Sequence, residues 1–185
     1  GIGQNYGTAI GLNNDLLVIQ ANALDAVFSS LDQDLGQRIQ AIPDVSNVDP
    51  GIYSWITTDE MPFFLIFGYE QGSVAMDHYR VVEGKPVTGP RQIVIGRRGA
   101  DALKRQLDDT LRIYGIPYRI VGIYETGQGM EESGGVVLLE DAQVIAQKQR
   151  KVSLFQVGLR PKANVDQVMQ RIEALDKELS VSTAS

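Results

Sequence analysis

The spacing of apolar positions changes along the chain, and each change marks an element. Residues 16–20, LLVIQ, form a short, nearly continuous apolar run after Asp15, which predicts a buried strand. Leu24, Val27, Phe28, Leu31, Leu35, Ile39 and Ile42 then recur at intervals of three and four, which predicts one helix with a single apolar stripe. Pro43 lacks a backbone donor and ends that helix, and VSNVDPGIYSWITT (45–58) reads as an extended segment broken at Pro50-Gly51. The C-terminal end repeats this order. VSLFQVGLR (152–160) reads as a strand, Asn164 caps a helix carrying Val165, Val168, Met169, Ile172 and Leu175, and LSVSTAS (179–185) is extended again.

Two β-α-β units therefore bracket the chain, and such pairs fold together as a split β-α-β (ferredoxin-like) sandwich with both helices on one face of a four-stranded sheet. The predicted class is α+β: residues 15–59 plus 151–185 form that lobe, and 60–150 is inserted between its halves. The insertion has a different texture. FFLIFGYE, VVEGKPV, QIVIGRR, TLRIYG, PYRIVGIYETG and GGVVLLE are short β-rich segments punctuated by Gly and Pro, with one helical piece at GADALKRQL (99–107). TLRIYGIPYRIVGIY predicts a hairpin turning at Gly115, where glycine admits a positive φ. Residues 1–14, rich in Gly and Asn, read as a weak lead-in or frayed helix.

Composition narrows the function classes. The chain has 185 residues, 43% hydrophobic and 22% charged, which is the balance of a folded globular protein. Its longest apolar runs, MPFFLIFG and GGVVLL, fall far short of the roughly 20 residues a membrane-spanning helix needs. A net charge of −6 leaves no basic excess to replace counterions on a phosphate backbone, so nucleic acid is an unfavoured partner. Zero cysteines exclude disulfides, thiol nucleophiles and thiolate metal sites. The first residue is glycine with no signal segment after it, so the chain is expected to be an excised or processed piece of a longer protein.

Two stretches could carry chemistry. In Gly96-Arg97-Arg98-Gly99 a strand gives way to a helix, and backbone amides with two arginines could hold a phosphate. The pattern lacks a GxGxxG sequence, the Lys-Ser pair of a P-loop and an acidic residue at ribose distance. It equally describes a corner in which the glycines let the chain turn, Ala100, Leu103 and Leu107 pack inward, and Arg97 and Arg98 face solvent or a partner. TGQGMEESGG (126–135) carries Gln128, Glu131 and Glu132. Adjacent acids in a flexible glycine-rich loop are expected to be solvated, and the loop is a candidate contact surface. His78 is the single histidine, which excludes multi-histidine metal sites and leaves a triad one possible base; no GxSxG serine accompanies it. It is expected to be structural, and Trp55 and the FFLIF run (63–67) are expected in the core. No catalytic residue, metal site or cofactor is predicted.

The order of motifs in EGKPVTGPRQIVIGRRGADALKRQLDDTLRIYGIPYRIVGIYETG, followed by GGVVLLEDAQVI, resembles the MacB-like periplasmic domain of type VII ABC transporter permeases, relatives of macrolide exporters and lipoprotein-releasing permeases. Glu83-Gly84-Lys85 matches the family's EGR turn with Lys for Arg. Ile93-Val94-Ile95-Gly96 matches its strand ending in glycine, Ala100 and Leu103 its helix, Ile120-Val121-Gly122-Ile123 its hairpin end, and Asp141-Ala142-Gln143 its acidic-Ala-Gln helix start. Asp108-Asp109 stands where the family has Gly-Asp, a departure that bears on the turn there.

The resemblance implies a porter lobe from the bracketing halves and a sabre lobe from the insertion. It also implies that residues 1–14 lead in from a preceding membrane helix and that the domain is extracytoplasmic, periplasmic or at the cell surface. It implies a non-enzymatic domain whose parent permease works with an ABC ATPase domain or subunit and a second permease copy, with a periplasmic adaptor or a cell-wall hydrolase as further partners. ATP hydrolysis in the cytoplasm would then drive export or mechanical signalling outside. The competing expectation is a soluble small-molecule-binding or catalytic α+β domain using the Arg97/Arg98 corner.

Overall fold

The computed structural model describes residues 16–57 and 60–183. The lead-in predicted at 1–14 lies outside the described residues. In chain order the elements are β1 (Leu16–Gln20), β2 (Leu31–Asp32), α1 (Leu35–Gln40), β3 (Val45–Ile56), β4 (Phe64–Tyr69), β5 (Arg80–Gly84), β6 (Gln92–Gly96), α2 (Arg97–Leu103), β7 (Thr110–Ile113), β8 (Ile116–Glu125), α3 (Gly129–Glu132), β9 (Gly135–Leu138), α4 (Leu139–Ala146), β10 (Lys151–Val152), β11 (Leu154–Leu159), α5 (Val165–Leu175) and β12 (Leu179–Thr183). Single 3₁₀ turns occupy Ala26–Phe28 and Val74–His78. The architecture is α+β, and the chain forms two compact units: residues up to Gly51 with those from Arg150 onward, and Ile52–Gln149.

In the first unit the sheet order is β12-β1-β11-β3, and every neighbouring pair is antiparallel. This is the strand order of the split β-α-β sandwich. Leu16 and Val18 stand opposite Val157 and Phe155, and Val181 opposite Val18, so one sheet face is apolar. Leu35 and Ile39 of α1 and Val168 and Ile172 of α5 are buried with those residues, and the two helices are neighbours, with Arg38 Nη2 donating to the Leu175 carbonyl at 3.0 Å. Asn164 caps α5 as expected, its side chain accepting from Gln167 N at 3.1 Å.

Two expectations fail here. The helix predicted from Leu24 to Ile42 is only six residues long, Leu35–Gln40. Polar side chains divert the backbone before it: Ser29 Oγ accepts from Gln20 N at 2.8 Å, Gln20 Oε1 from Ser30 N at 3.0 Å, and Asp25 Oδ1 from Val27 N at 2.8 Å. Leu31 and Asp32 then pair with Val152 and Lys151 as a strand, leaving Leu24 and Phe28 exposed. Nor does Pro50-Gly51 break the extended segment, because β3 runs through both residues with Pro50 opposite Phe155. Proline is tolerated in a strand where its missing donor faces no partner.

In the second unit the order β4-β9-β6-β8-β5 is mixed: β4/β9 and β6/β8 are parallel, β9/β6 and β8/β5 antiparallel, and β7 pairs antiparallel with β8. The β7–β8 hairpin turns through Tyr114 (φ 50°) and Gly115 (φ 82°), two successive positive-φ residues as a two-residue primed turn requires. Both α2 and α4 follow directly on the strands that precede them. At the Asp108-Asp109 departure the turn survives: Asp108 takes φ 71°, a conformation glycine adopts freely and aspartate tolerates, and its N–H donates to the Ile120 carbonyl at 2.8 Å. In the FFLIF run Phe64 to Phe67 are buried, but Phe63 is 80% and Trp55 40% exposed.

Candidate functional site

Gly96 ends β6 and caps α2 with φ −70° and ψ 154°, dihedrals open to any residue. Space, and not backbone freedom, requires glycine there, because a Cβ at Gly96 would collide with the main chain of Glu132. Gly96 N donates to the Gly134 carbonyl at 2.9 Å, and a Cβ at Gly134 would in turn meet the Leu65 carbonyl. The two glycine-rich stretches, 38 positions apart by their residue numbers, are thus one packed junction.

Arg97 at this junction is held by carboxylates. Arg97 Nη2 lies 2.5 Å from Glu83 Oε2 and its Nε 3.4 Å from Glu125 Oε2, while Arg80 reaches Glu125 Oε1 at 3.7 Å. The hydrogen bond that Arg97 donates to Glu83, reinforced by the charges of both carboxylates, raises the Arg97 pKa. Arg98 is exposed, and its guanidinium lies against Gly129, where a Cβ would come within 2.9 Å of Nη1.

Glu131 and Glu132, expected to be solvated in a flexible loop, are both buried on α3. Glu132 Oε2 accepts from Thr126 N at 2.9 Å and Gly127 N at 2.7 Å, so the carboxylate closes its own loop. Glu131 meets His78 Nε2 at 2.9 and 3.0 Å, its N–H donates to Gln128 Oε1 at 2.8 Å, and its carbonyl accepts from Tyr124 OH at 2.5 Å. Behind this pair lies an aromatic cluster. Tyr79 stands edge-on to Tyr124 (5.2 Å between centroids) and to His78 (5.0 Å), and its hydroxyl is 2.8 Å from that of Tyr69. Burial, with the charges of Glu131 and Glu132, pushes the Tyr124 phenol well above its ordinary pKa, so it remains a proton donor.

The site residues named from sequence are therefore assembled, but as a clasp. Arg97 is matched by two carboxylates, Glu132 by two backbone amides and Glu131 by His78. Among the described residues no group of three His, Asp or Glu could hold a metal ion. Sequence reasoning missed the His78–Glu131 pair and the acids that meet Arg97, because the partners lie 53, 14 and 28 residues apart with no local motif to link them.

The same unit carries an open groove of about 460 Å³, lined by Met76, Asp77, Tyr79, Arg80, Val81 and Val87 among others. A small void of about 30 Å³ beneath it reaches Val94 and Val136 of the sheet. No sequence motif announces it.

A family model described as the MacB-like periplasmic core domain matches residues 3–175. Among solved structures, the periplasmic region of MacB from Actinobacillus actinomycetemcomitans is similar with a TM-score of 0.72 at 12% identity, covering 100% of this chain and 94% of that one. The extracellular domain of the noncanonic ABC-type transporter YknZ from Gram-positive bacteria is similar with a TM-score of 0.69 at 14% identity, covering 92% of this chain and 100% of that one. No curated protein matches the chain in sequence. At these identities the structural likenesses establish the fold, and the family match over nearly the whole length establishes the relationship: the chain belongs to the MacB-like periplasmic core domains, the extracytoplasmic domains of ABC transporter permeases.

Proposed function

We propose that this domain carries motion and not chemistry. ATP hydrolysed in the cytoplasm by a separate nucleotide-binding domain or subunit rearranges a pair of permeases, and the extracytoplasmic domains pass that rearrangement to a substrate or partner outside the membrane. The unit formed by the two chain ends acts as the porter lobe and Ile52–Gln149 as the sabre lobe. The observation that carries the reading is the family match over residues 3–175. The junction around Gly96 agrees with it, since Arg97 is paired with Glu83 and Glu125, Glu131 with His78, and Glu132 with backbone amides. A domain built to transmit force needs internally satisfied polar groups that hold its shape, and the buried contacts of Glu132 and of His78–Glu131 supply them.

The absence of cysteine makes the test direct, because a single label site can be introduced without background from this domain. Gln170 is exposed on α5. A spin label at Gln170→Cys in the intact permease, reconstituted with its ATPase, should show a different distance distribution between the two copies in the nucleotide-free and vanadate-trapped states. Identical distributions in both states, with ATPase activity intact, would sink the proposal. Export and regulation separate in a second experiment: a regulator retains a soluble cell-wall hydrolase from envelope extract, whereas an exporter retains an adaptor.

A further inference from the structure

Among the described residues, strand β12, Leu179–Thr183, lies at the end of the sheet order in the first unit, with β1 as its neighbour. An edge strand exposes a row of backbone donors and acceptors to any extended chain, and proteins commonly blunt such edges with charge, proline or a bulge. β12 has none of these. Its sequence is LSVST, and its pairing with β1 runs without a register shift from Thr183 opposite Leu16 to Leu179 opposite Gln20.

What blunts it is a side chain from the preceding helix. Val181 N donates to Glu173 Oε2 at 3.2 Å, and Leu179 N to the Asp176 carbonyl at 3.1 Å. In an antiparallel strand the outward-pointing groups belong to alternate residues, so Leu179, Val181 and Thr183 share the free edge. Two of these three donors are taken by residues of the α5 C-terminus and the turn after it. Glu173 is the only charged side chain among these acceptors, and a carboxylate is a stronger acceptor than the carbonyl of an incoming strand.

We propose that Glu173 is a plug on the β12 edge, and that the occupant it keeps out is the β12 strand of a second copy of this chain. The strand is self-complementary. Paired antiparallel about Val181, Ser180 faces Ser182 and Leu179 faces Thr183, so no like charges oppose each other. With the plug in place the domain does not associate through this edge, and any pairing of copies is left to other parts of the parent protein. The inference stands on β12 and α5 alone and does not depend on the permease reading.

Analytical ultracentrifugation of the 185-residue chain and three variants tests it. The unsubstituted chain and Glu173→Gln, whose amide oxygen still accepts from Val181 N–H, should sediment at monomer mass across the concentration range. Glu173→Ala should shift with concentration toward twice that mass, and adding Ser182→Lys to it should restore the monomer by placing charge on the edge. Amide exchange at Val181 gives an independent readout: slow in the unsubstituted chain and in Glu173→Gln, fast in dilute Glu173→Ala and slow again as that variant concentrates. The proposal is overturned if Glu173→Ala associates no more than the unsubstituted chain, if Glu173→Gln associates as strongly as Glu173→Ala, or if the dimer persists with Ser182→Lys.

Discussion

Gly96 and Arg97 are neighbours with opposite tolerances, because one is constrained by main chain and the other by solvent-accessible charge. Gly96→Ala puts a methyl into the Glu132 backbone, which cannot swing aside as a side chain can, and should cost at least about 2 kcal/mol, read as a fall of about 4–8 °C in melting temperature. The double change Arg97→Ala/Arg98→Ala removes pairs that water largely screens, and should lower it by no more than about 2 °C. A larger fall would mean the arginines hold the corner together. Asp49 on β3 makes the case for pH. Burial raises its carboxyl pKa against a smaller opposing effect from Asn47, whose Nδ2 is 3.3 Å from Oδ2. Since the folded-state pKa lies above the unfolded one, the charged form is penalised at neutral pH, and the penalty fades as pH falls through the folded pKa. Asp49→Asn, which keeps an acceptor for Asn47, should therefore melt higher than the unsubstituted chain at pH 7, with the gap closing below the ordinary carboxylate range. A gap that widens on acidification would reverse the sign assigned to Asp49.

At the scale of elements, strands and the hairpin were legible and the first helix was not. The β7–β8 hairpin is encoded locally: alternating apolar residues flank a turn in which Gly115 takes a φ costly for other residues. The stripe from Leu24 to Ile42 has equally good periodicity, yet Ser29, Gln20 and Asp25 compete for the backbone and β10, over a hundred residues later, claims Leu31 and Asp32. Periodicity records which side chains are apolar, and cannot register a remote strand. The Asp108 turn shows a motif surviving a change of residue, since backbone conformation is what it preserves. Asp108→Gly should leave stability within about 0.5 kcal/mol, whereas Asp108→Val, β-branched at φ 71°, should lose about 1–2 kcal/mol in a denaturant titration. Equal behaviour of the two variants would show that the turn does not depend on that conformation.

For the molecule as a whole, membership of the permease ectodomains predicts its covalent surroundings. On the permease reading, the coding sequence of the parent protein should specify apolar segments of about 20 residues flanking this domain. Hydropathy of the flanking sequence checks this, and a stop codon soon after Ser185 with no span upstream would contradict it. What the sequence by itself determined is what depends on neighbours along the chain: the α+β class, the β-α-β order at both ends, the Asn164 cap, the turn at Gly115 and the ordered motifs from Glu83 to Gln143. Only the tertiary structure decided that Glu131 and Glu132 are buried, that His78 is the partner of Glu131, that Arg97 is shared by Glu83 and Glu125, and that Gly96 is glycine for lack of room. Each of these depends on which distant segments the sheet brings together. A carboxylate in a glycine-rich loop looks solvated until the partners that offset its desolvation are in place.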